Sequence, residues 1–322
     1  MSGPDLLAYR PGLHRYAVGV ACATAVLIFI GGLVTSTGSA LAVPDWPLSY
    51  GQVFPRMTGG VLFEHGHRMA GATIGLLTIV LAVWLWRSEP RRWVRWLGLI
   101  TLTAVSLQGV LGGLTVLRRL PLALAVSHAG LAQIVLCLTV TIALVTSAGW
   151  MEAPPRAPDA GAPSLRALTR VAVAVVYLQI LVGAVVRHSG AGLAVPDFPL
   201  AFGRLWPAAG LMSTPVAYQL LHRAGALLVA LCLIWTVAAA MRRHGSVPGL
   251  RRPALLLALL LAWQVYLGAA IIWTKRAVVP TTAHVLSGAL VLATALVLAL
   301  RATRLLAPLP SDRSSSPAST AA

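Results

Sequence analysis

Acidic residues are scarce in this chain. Eight Asp and Glu stand against 25 Lys and Arg among 322 residues, and charged residues make up only 10% of the whole. Soluble domains carry about 25% charged residues. This content excludes an ordinary soluble domain, and a 58% hydrophobic composition excludes a disordered one. Cysteine is almost missing too. Cys22, Cys137 and Cys232 all lie inside apolar runs and read as small core residues. They form neither a disulfide framework nor a C-x-x-C motif. No separate cleavable signal stands before the Ala17–Val34 run, which is expected to stay in the mature protein. The net charge of +17 does not indicate nucleic acid, because the bases alternate with long apolar runs instead of gathering on one face.

What the sequence has in abundance is apolar length. Mean hydropathy is +0.82, and eight runs are long enough to span a bilayer: 16–36, 65–86, 95–116, 121–147, 168–187, 215–240, 254–273 and 280–300. Pro121, Pro215 and Pro280 mark expected helix starts. Sixteen basic residues fall in the terminal segments and the loops after spans 2, 4 and 6, against seven on the opposite side. The positive-inside rule then puts both termini in the cytoplasm. Met151–Pro163 is Pro/Ala-rich and reads as a linker; Pro308–Ala322 is Ser/Pro-rich and reads as a disordered tail.

The two halves repeat. Gly38–Gly51 (GSALAVPDWPLSYG) matches Gly190–Gly203 (GAGLAVPDFPLAFG) at an offset of 152. His67-Arg68 matches His222-Arg223 at 155, and Gln108 and His128 match Gln264 and His284 at 156. A nearly constant offset over separated landmarks indicates a duplicated unit. Four spans per unit is an even number, so both copies face the same way. The expected fold is an all-α membrane protein whose eight transmembrane helices form two four-helix bundles related by a pseudo-twofold axis along the membrane normal. The expected division is 1–150 for the first bundle, 151–164 for a cytoplasmic linker, 165–307 for the second bundle and 308–322 for the tail.

Ionisable side chains inside a bilayer are costly and signal function. His67, His128, His222 and His284 lie on spans 2, 4, 6 and 8, which all run inward, and each sits about 6–12 Å below the outer surface at 1.5 Å per residue. Two imidazoles from facing helices can supply both axial ligands of a haem. Small neighbours (Gly66, Ala70 and Gly71; Ala129 and Gly130; Ala224 and Gly225; Ser287 and Gly288) would let a flat macrocycle approach. The bland alternative is histidines that only hydrogen-bond across helices. Zinc is disfavoured because no third ligand joins either pair. Arg68 and Arg223 follow two of the histidines and suit haem propionates, or else snorkel to headgroups. His14 and His244 are expected in solvent and His188 at the surface. His65 is about 200° round the helix from His67, so both cannot face one pocket.

One position breaks the symmetry: Glu64 aligns with Gln219. Glu64 is i−3 from His67 and i−4 from Arg68, on a shared helix face. A carboxylate can move protons or steady positive charge where an amide cannot. The first half therefore reads as reactive and the second as a passive or electron-relaying haem site. The alternative is a structural Glu64–Arg68 ion pair. Trp46 and Phe198, in the paired Val-Pro-Asp-aromatic-Pro loops, read as interface anchors or as caps over a haem edge. Gln108 and Gln264 are placed to hydrogen-bond between helices.

These residues resemble the haem A synthase family. The resemblance covers roughly 16–300 and is carried by Glu64-His-Gly-His67-Arg68, Ser127-His128-Ala129, His222-Arg223, His284 and the doubled loops. It implies that His222 and His284 hold haem b, and that the first half receives haem O near Glu64, His67 and His128. It also implies oxidation of the C8 methyl of haem O to a formyl group, giving haem A for terminal oxidases. Haem O would come from a haem O synthase (protohaem farnesyltransferase) in the same plasma membrane, with the electron partner left open. Many family members carry a cysteine pair in the outer loops; residues 35–64 and 188–214 have none here. The main rival is a dihaem b-type electron-transfer protein with no chemistry on its haem. A transporter with histidine-lined cavities is a second. A prenyl transferase is disfavoured because the spans carry no aspartate pair.

Overall fold

The computed structural model describes residues 9–159 and 161–308. The expected tail beyond Pro308 lies outside them. Eight long helices dominate: α1 Pro11–Ser36, α2 Gly60–Ser88, α3 Arg92–Leu117, α4 Leu122–Val145, α6 Leu165–His188, α7 Thr214–His244, α8 Pro248–Trp273 and α9 Val278–Leu305. A short α5, Ala148–Met151, precedes the linker. All eight are long and apolar enough to cross a membrane. The shortest has 24 residues, about 36 Å at 1.5 Å per residue, which exceeds a hydrocarbon core of about 30 Å. Proline opens α1, α7 and α8, where its missing N–H costs nothing. Pro121 stands at the N-cap of α4, and Pro280 is in the first turn of α9. The largest boundary difference from the sequence reading is α8, which begins at Pro248 rather than 254.

Neighbouring helices repeat between halves. Contacts run α1–α2–α3–α4 and back to α1, and likewise α6–α7–α8–α9 and back to α6. The halves meet through α1 with α9, α4 with α6, and α4 with α9. A seam of Ile28, Leu136, Ala289 and Ala293 fills that junction. The two larger apolar cores sit towards the end of the molecule that carries the start of α1 and the end of α9. Leu13, Leu81, Leu85, Val94 and Ile142 pack in the first half; Leu165, Leu233, Leu250, Leu257 and Leu298 pack in the second. The histidines lie towards the other end, so apolar packing anchors each bundle below them.

The linker carries defined contacts of its own. β1 (Ala157–Pro158) pairs in parallel with β2 (Leu306–Ala307), and the Asp159 N–H donates to the Ala307 carbonyl at 2.9 Å. The buried Asp159 carboxylate accepts from the N–H groups of Leu165 and Arg166, both at 3.0 Å, satisfying first-turn donors of α6.

Candidate functional site

The four intramembrane histidines fall between the seventh and ninth residue of α2, α4, α7 and α9, so they share a depth. His67 and His128 lie within electrostatic reach of each other, as do His222 and His284. Each imidazole rests against a glycine of the preceding helix. A Cβ on Gly31, Gly112, Gly183 or Gly268 would come within 3.0, 2.9, 3.0 or 3.3 Å of Cε1 of His67, His128, His222 or His284 respectively. A Cβ at Gly112 would force the ring to shift, and one at the other three glycines would require the ring to give by a few tenths of an ångström. These glycines stand at the repeat offsets themselves: 152 for Gly31 and Gly183, 156 for Gly112 and Gly268. The sequence reading missed them, although the offsets would have found them.

Nδ1 of His67, His128 and His284 is buried and has no hydrogen-bond partner among the described residues. An unsatisfied buried polar group costs about 1–3 kcal/mol. Neutral imidazole is the donor type that a haem iron takes, one nitrogen on the metal and the other left for a hydrogen bond. The glycine notches and orphaned nitrogens therefore fit a haem in each half. Gln108 donates to the His128 carbonyl at 2.9 Å and sits 3.4 Å from its Nε2; the Gln264 amide nitrogen sits 3.2 Å from Nε2 of His284. Both glutamines thus bond between helices, as their positions suggested.

Glu64 is buried, 4% exposed, and both its oxygens are engaged. Oε2 accepts from the Val43 N–H at 2.8 Å and Oε1 from Arg68 at 2.7 Å. Gln219 does the matching work: Oε1 accepts from the Val195 N–H at 2.5 Å, and its amide donates to the Gly192 carbonyl at 3.1 Å. Both residues tie an outer loop to the helix below. The arginines do the same. Arg68 donates to the carbonyls of Val43, Asp45 and Leu48, and Arg223 to those of Val195, Asp197 and Leu200. His65 points to the loop as well, with Nδ1 2.8 Å from the Ser49 hydroxyl. Trp46 packs against Gly113 on α3, and Phe198 makes an edge contact with Trp273 at 6.3 Å between centroids.

Three histidines and a cysteine are not where the sequence placed them. His14 is half-buried and its Nδ1 meets the Ala143 carbonyl at 3.0 Å. His244 is buried, with Nε2 3.6 Å from Asp159. His188 is half-buried and within electrostatic reach of His128 and Arg187. His14 and His188 are met by α4 and His244 by the linker, each a residue that local sequence places at a span end. Cys22 is exposed rather than core, on a surface that an apolar span turns outward.

The COX15-CtaA family, described as cytochrome oxidase assembly protein, matches residues 57–296. A heme A synthase of Symbiobacterium thermophilum is 33% identical over 265 residues, covering 79% of this chain and 84% of that one. The heme A synthase of Shouchella clausii is 31% identical over 70% of this chain and 76% of its own length. That of Halalkalibacterium halodurans is 29% identical over 81% and 87%. With the duplicated histidine sites, these matches place the chain in the COX15-CtaA family of cytochrome oxidase assembly proteins, the haem A synthase family.

Proposed function

We propose that this protein is a membrane-bound, haem-dependent oxidoreductase that makes haem A. The substrate is haem O, received by the first half (residues 1–150), and the reaction converts its C8 methyl to a formyl group. The second half (165–307) holds a resident haem b through His222 and His284. When bound, that haem supplies one-electron transfer. The observation that carries this reading is the repeated notch: four half-buried histidines, each against a glycine, with an acid beside only one pair among the described residues.

In the first half, His67 and His128 bind and orient the substrate haem. Glu64 shares the His67 helix face and is the group that takes up a proton or steadies positive charge as the methyl is oxidised. Arg68 keeps Glu64 in place and holds the loop over the site, which limits water access. In both halves the Arg68 and Arg223 Nε–H groups make no hydrogen bond among the described residues. They are the donors left for a haem carboxylate. Both termini face the cytoplasm and the site faces outward, with the two bundles related by a pseudo-twofold axis along the membrane normal. Substrate comes from a haem O synthase in the same plasma membrane, and product goes to terminal oxidases.

One observation favours the second reading, a dihaem electron carrier. Glu64 and Gln219 support their loops alike, which gives Glu64 a structural reason to exist. Mass spectrometry of the haems extracted after co-expression with a haem O synthase separates the two. Haem A or a hydroxylated haem O beside haem b supports the synthase. Haem b alone, with haem O plentiful in the membrane, supports the carrier.

A further inference from the structure

Glu64 against Gln219 is not the only break in the repeat. Gln179 on α6 lies one turn before Gly183, on the face that receives His222. Its amide nitrogen donates to the His222 carbonyl at 2.7 Å and sits 2.9 Å from Nδ1 of the same residue. The carbonyl can only accept, so it fixes which end of the amide points at the ring. The contact needs Gly225: a Cβ there would lie within 3.2 Å of the Gln179 carboxamide carbon, and closer still to its oxygen.

The first half lacks both members of this contact. At the same offset of 152 that relates Gly31 to Gly183, Gln179 corresponds to Leu27; at the histidine offset of 155, Gly225 corresponds to Ala70. Nδ1 of His67 accordingly has no partner, whereas that of His222 does. Gln108 and Gln264 are common to both halves and address Nε2, so they cannot account for the difference. Among the four histidines only His222 has its Nδ1 held among the described residues.

We propose that Gln179 is a positioning residue for the His222 ligand, and that Leu27 in its place leaves His67 free to take up and release its haem. A hydrogen bond to the remote nitrogen fixes the rotation of a ligand imidazole and tunes its basicity. As it stands the carboxamide donates to a bare Nδ1; a ring that ligates through Nε2 carries Nδ1–H, and the carboxamide then leaves the His222 carbonyl and turns its oxygen to the ring. A leucine does neither. A resident cofactor needs the held ligand; a substrate that enters and a product that leaves need the loose one.

This inference rests on the haem b assignment, and the test separates the two. Wild type, His222→Ala, Gln179→Leu and Gln179→Glu are purified as full-length protein. For each, the midpoint potential of the haem and its rate of transfer to an apoglobin acceptor are measured. Gln179→Leu is expected to lose haem at least tenfold faster and to raise the potential. Gln179→Glu, which accepts from Nδ1–H as a carboxylate, is expected to retain haem and lower the potential. Should Gln179→Leu not fold, the glutamate variant decides: an unchanged potential overturns the inference, a lowered one supports it. A Gln179→Leu protein with wild-type transfer rate and potential overturns the inference alone. If wild type holds no haem that His222→Ala removes, the haem b assignment fails and the inference falls with it.

Discussion

Glu64 holds an outer loop in this structure and is proposed to assist the chemistry, and a single substitution separates the two. Gln219 demonstrates that an amide can hold the loop N–H from this position. Glu64→Gln should therefore fold, keep the loop and retain the haem of the second half. It should also lose most haem A output, because general acid–base assistance contributes about 10²–10⁴-fold. Haem A measured beside haem b in the same extract checks this, and undiminished haem A would reduce Glu64 to a loop clamp. The glycine notches carry a second prediction. Gly112→Ala places a methyl 2.9 Å from the His128 ring, so the ring must move and haem O binding should weaken, while the His222/His284 spectrum stays intact. Loss of that spectrum as well would mean that the notch stabilises the fold rather than one site. The histidines and Glu64 were legible because charge inside an apolar run stands out. Their glycine partners carry no local signal and show only through the repeat offsets, and Gln179, which breaks the repeat, shows through neither. His14 and His244 misled because what covers a span end is a tertiary fact.

The outer loops behave as preformed elements. In each, one aspartate closes a turn: Asp45 accepts from the N–H groups of Tyr50 and Gly51 at 2.7 and 2.9 Å, and Asp197 from those of Phe202 and Gly203, both at 2.7 Å. The N–H groups of Gly51 and Tyr50 hold the Asp45 carboxyl below its ordinary value of 3.8, and those of Gly203 and Phe202 do the same for Asp197. A carboxylate with a lowered folded value contributes stability that is complete above the unfolded value and is lost as pH falls through the folded one. Loop order should therefore be flat from neutral pH down to about pH 5 and decline below about pH 4. Asp45→Asn should abolish that acid dependence in the first loop alone. Hydrogen exchange of residues 42–52 across pH, corrected for intrinsic rates, tests it; an acid transition surviving in Asp45→Asn would assign it to another group. At this scale the sequence was read well for the eight spans, whose apolar length is unambiguous, and poorly for the linker. Composition records the prolines and alanines of 151–163 but not the strand pairing with Leu306–Ala307 or the capping role of Asp159.

The whole molecule depends on how the halves meet, and no repeat within one half could have disclosed that. The seam is close-packed where α1 meets α9: a Cβ on Gly32 would fall 3.2 Å from the Thr282 methyl. Arg187 of α6 crosses it, donating to the Gly32 carbonyl at 2.7 Å and to the Ser36 hydroxyl at 2.9 Å, and Thr282 donates to Ser36 at 2.9 Å. One guanidinium thus joins α6 to α1, and the Ser36 hydroxyl extends the network to α9. The matching position of the first half, at the offset of 152, is Thr35, so this staple is made once and not twice. A duplicated unit needs such a device, because two similar bundles have no intrinsic reason to choose one relative placement. Hydrogen bonds to a charged group contribute about 1.5–3 kcal/mol, and 1 kcal/mol corresponds to about 2–4 °C in a domain of 150–250 residues. Arg187→Leu should therefore lower the thermal midpoint in detergent by several degrees. Arg187 makes no hydrogen bond to His222 or His284 but lies within electrostatic reach of His284, so the haem b pair should stay bound at low temperature with at most a small spectral shift. A wild-type midpoint in Arg187→Leu would show that apolar packing along Ile28, Leu136, Ala289 and Ala293 holds the halves together by itself. Loss of the haem b spectrum would tie the seam to the haem sites directly.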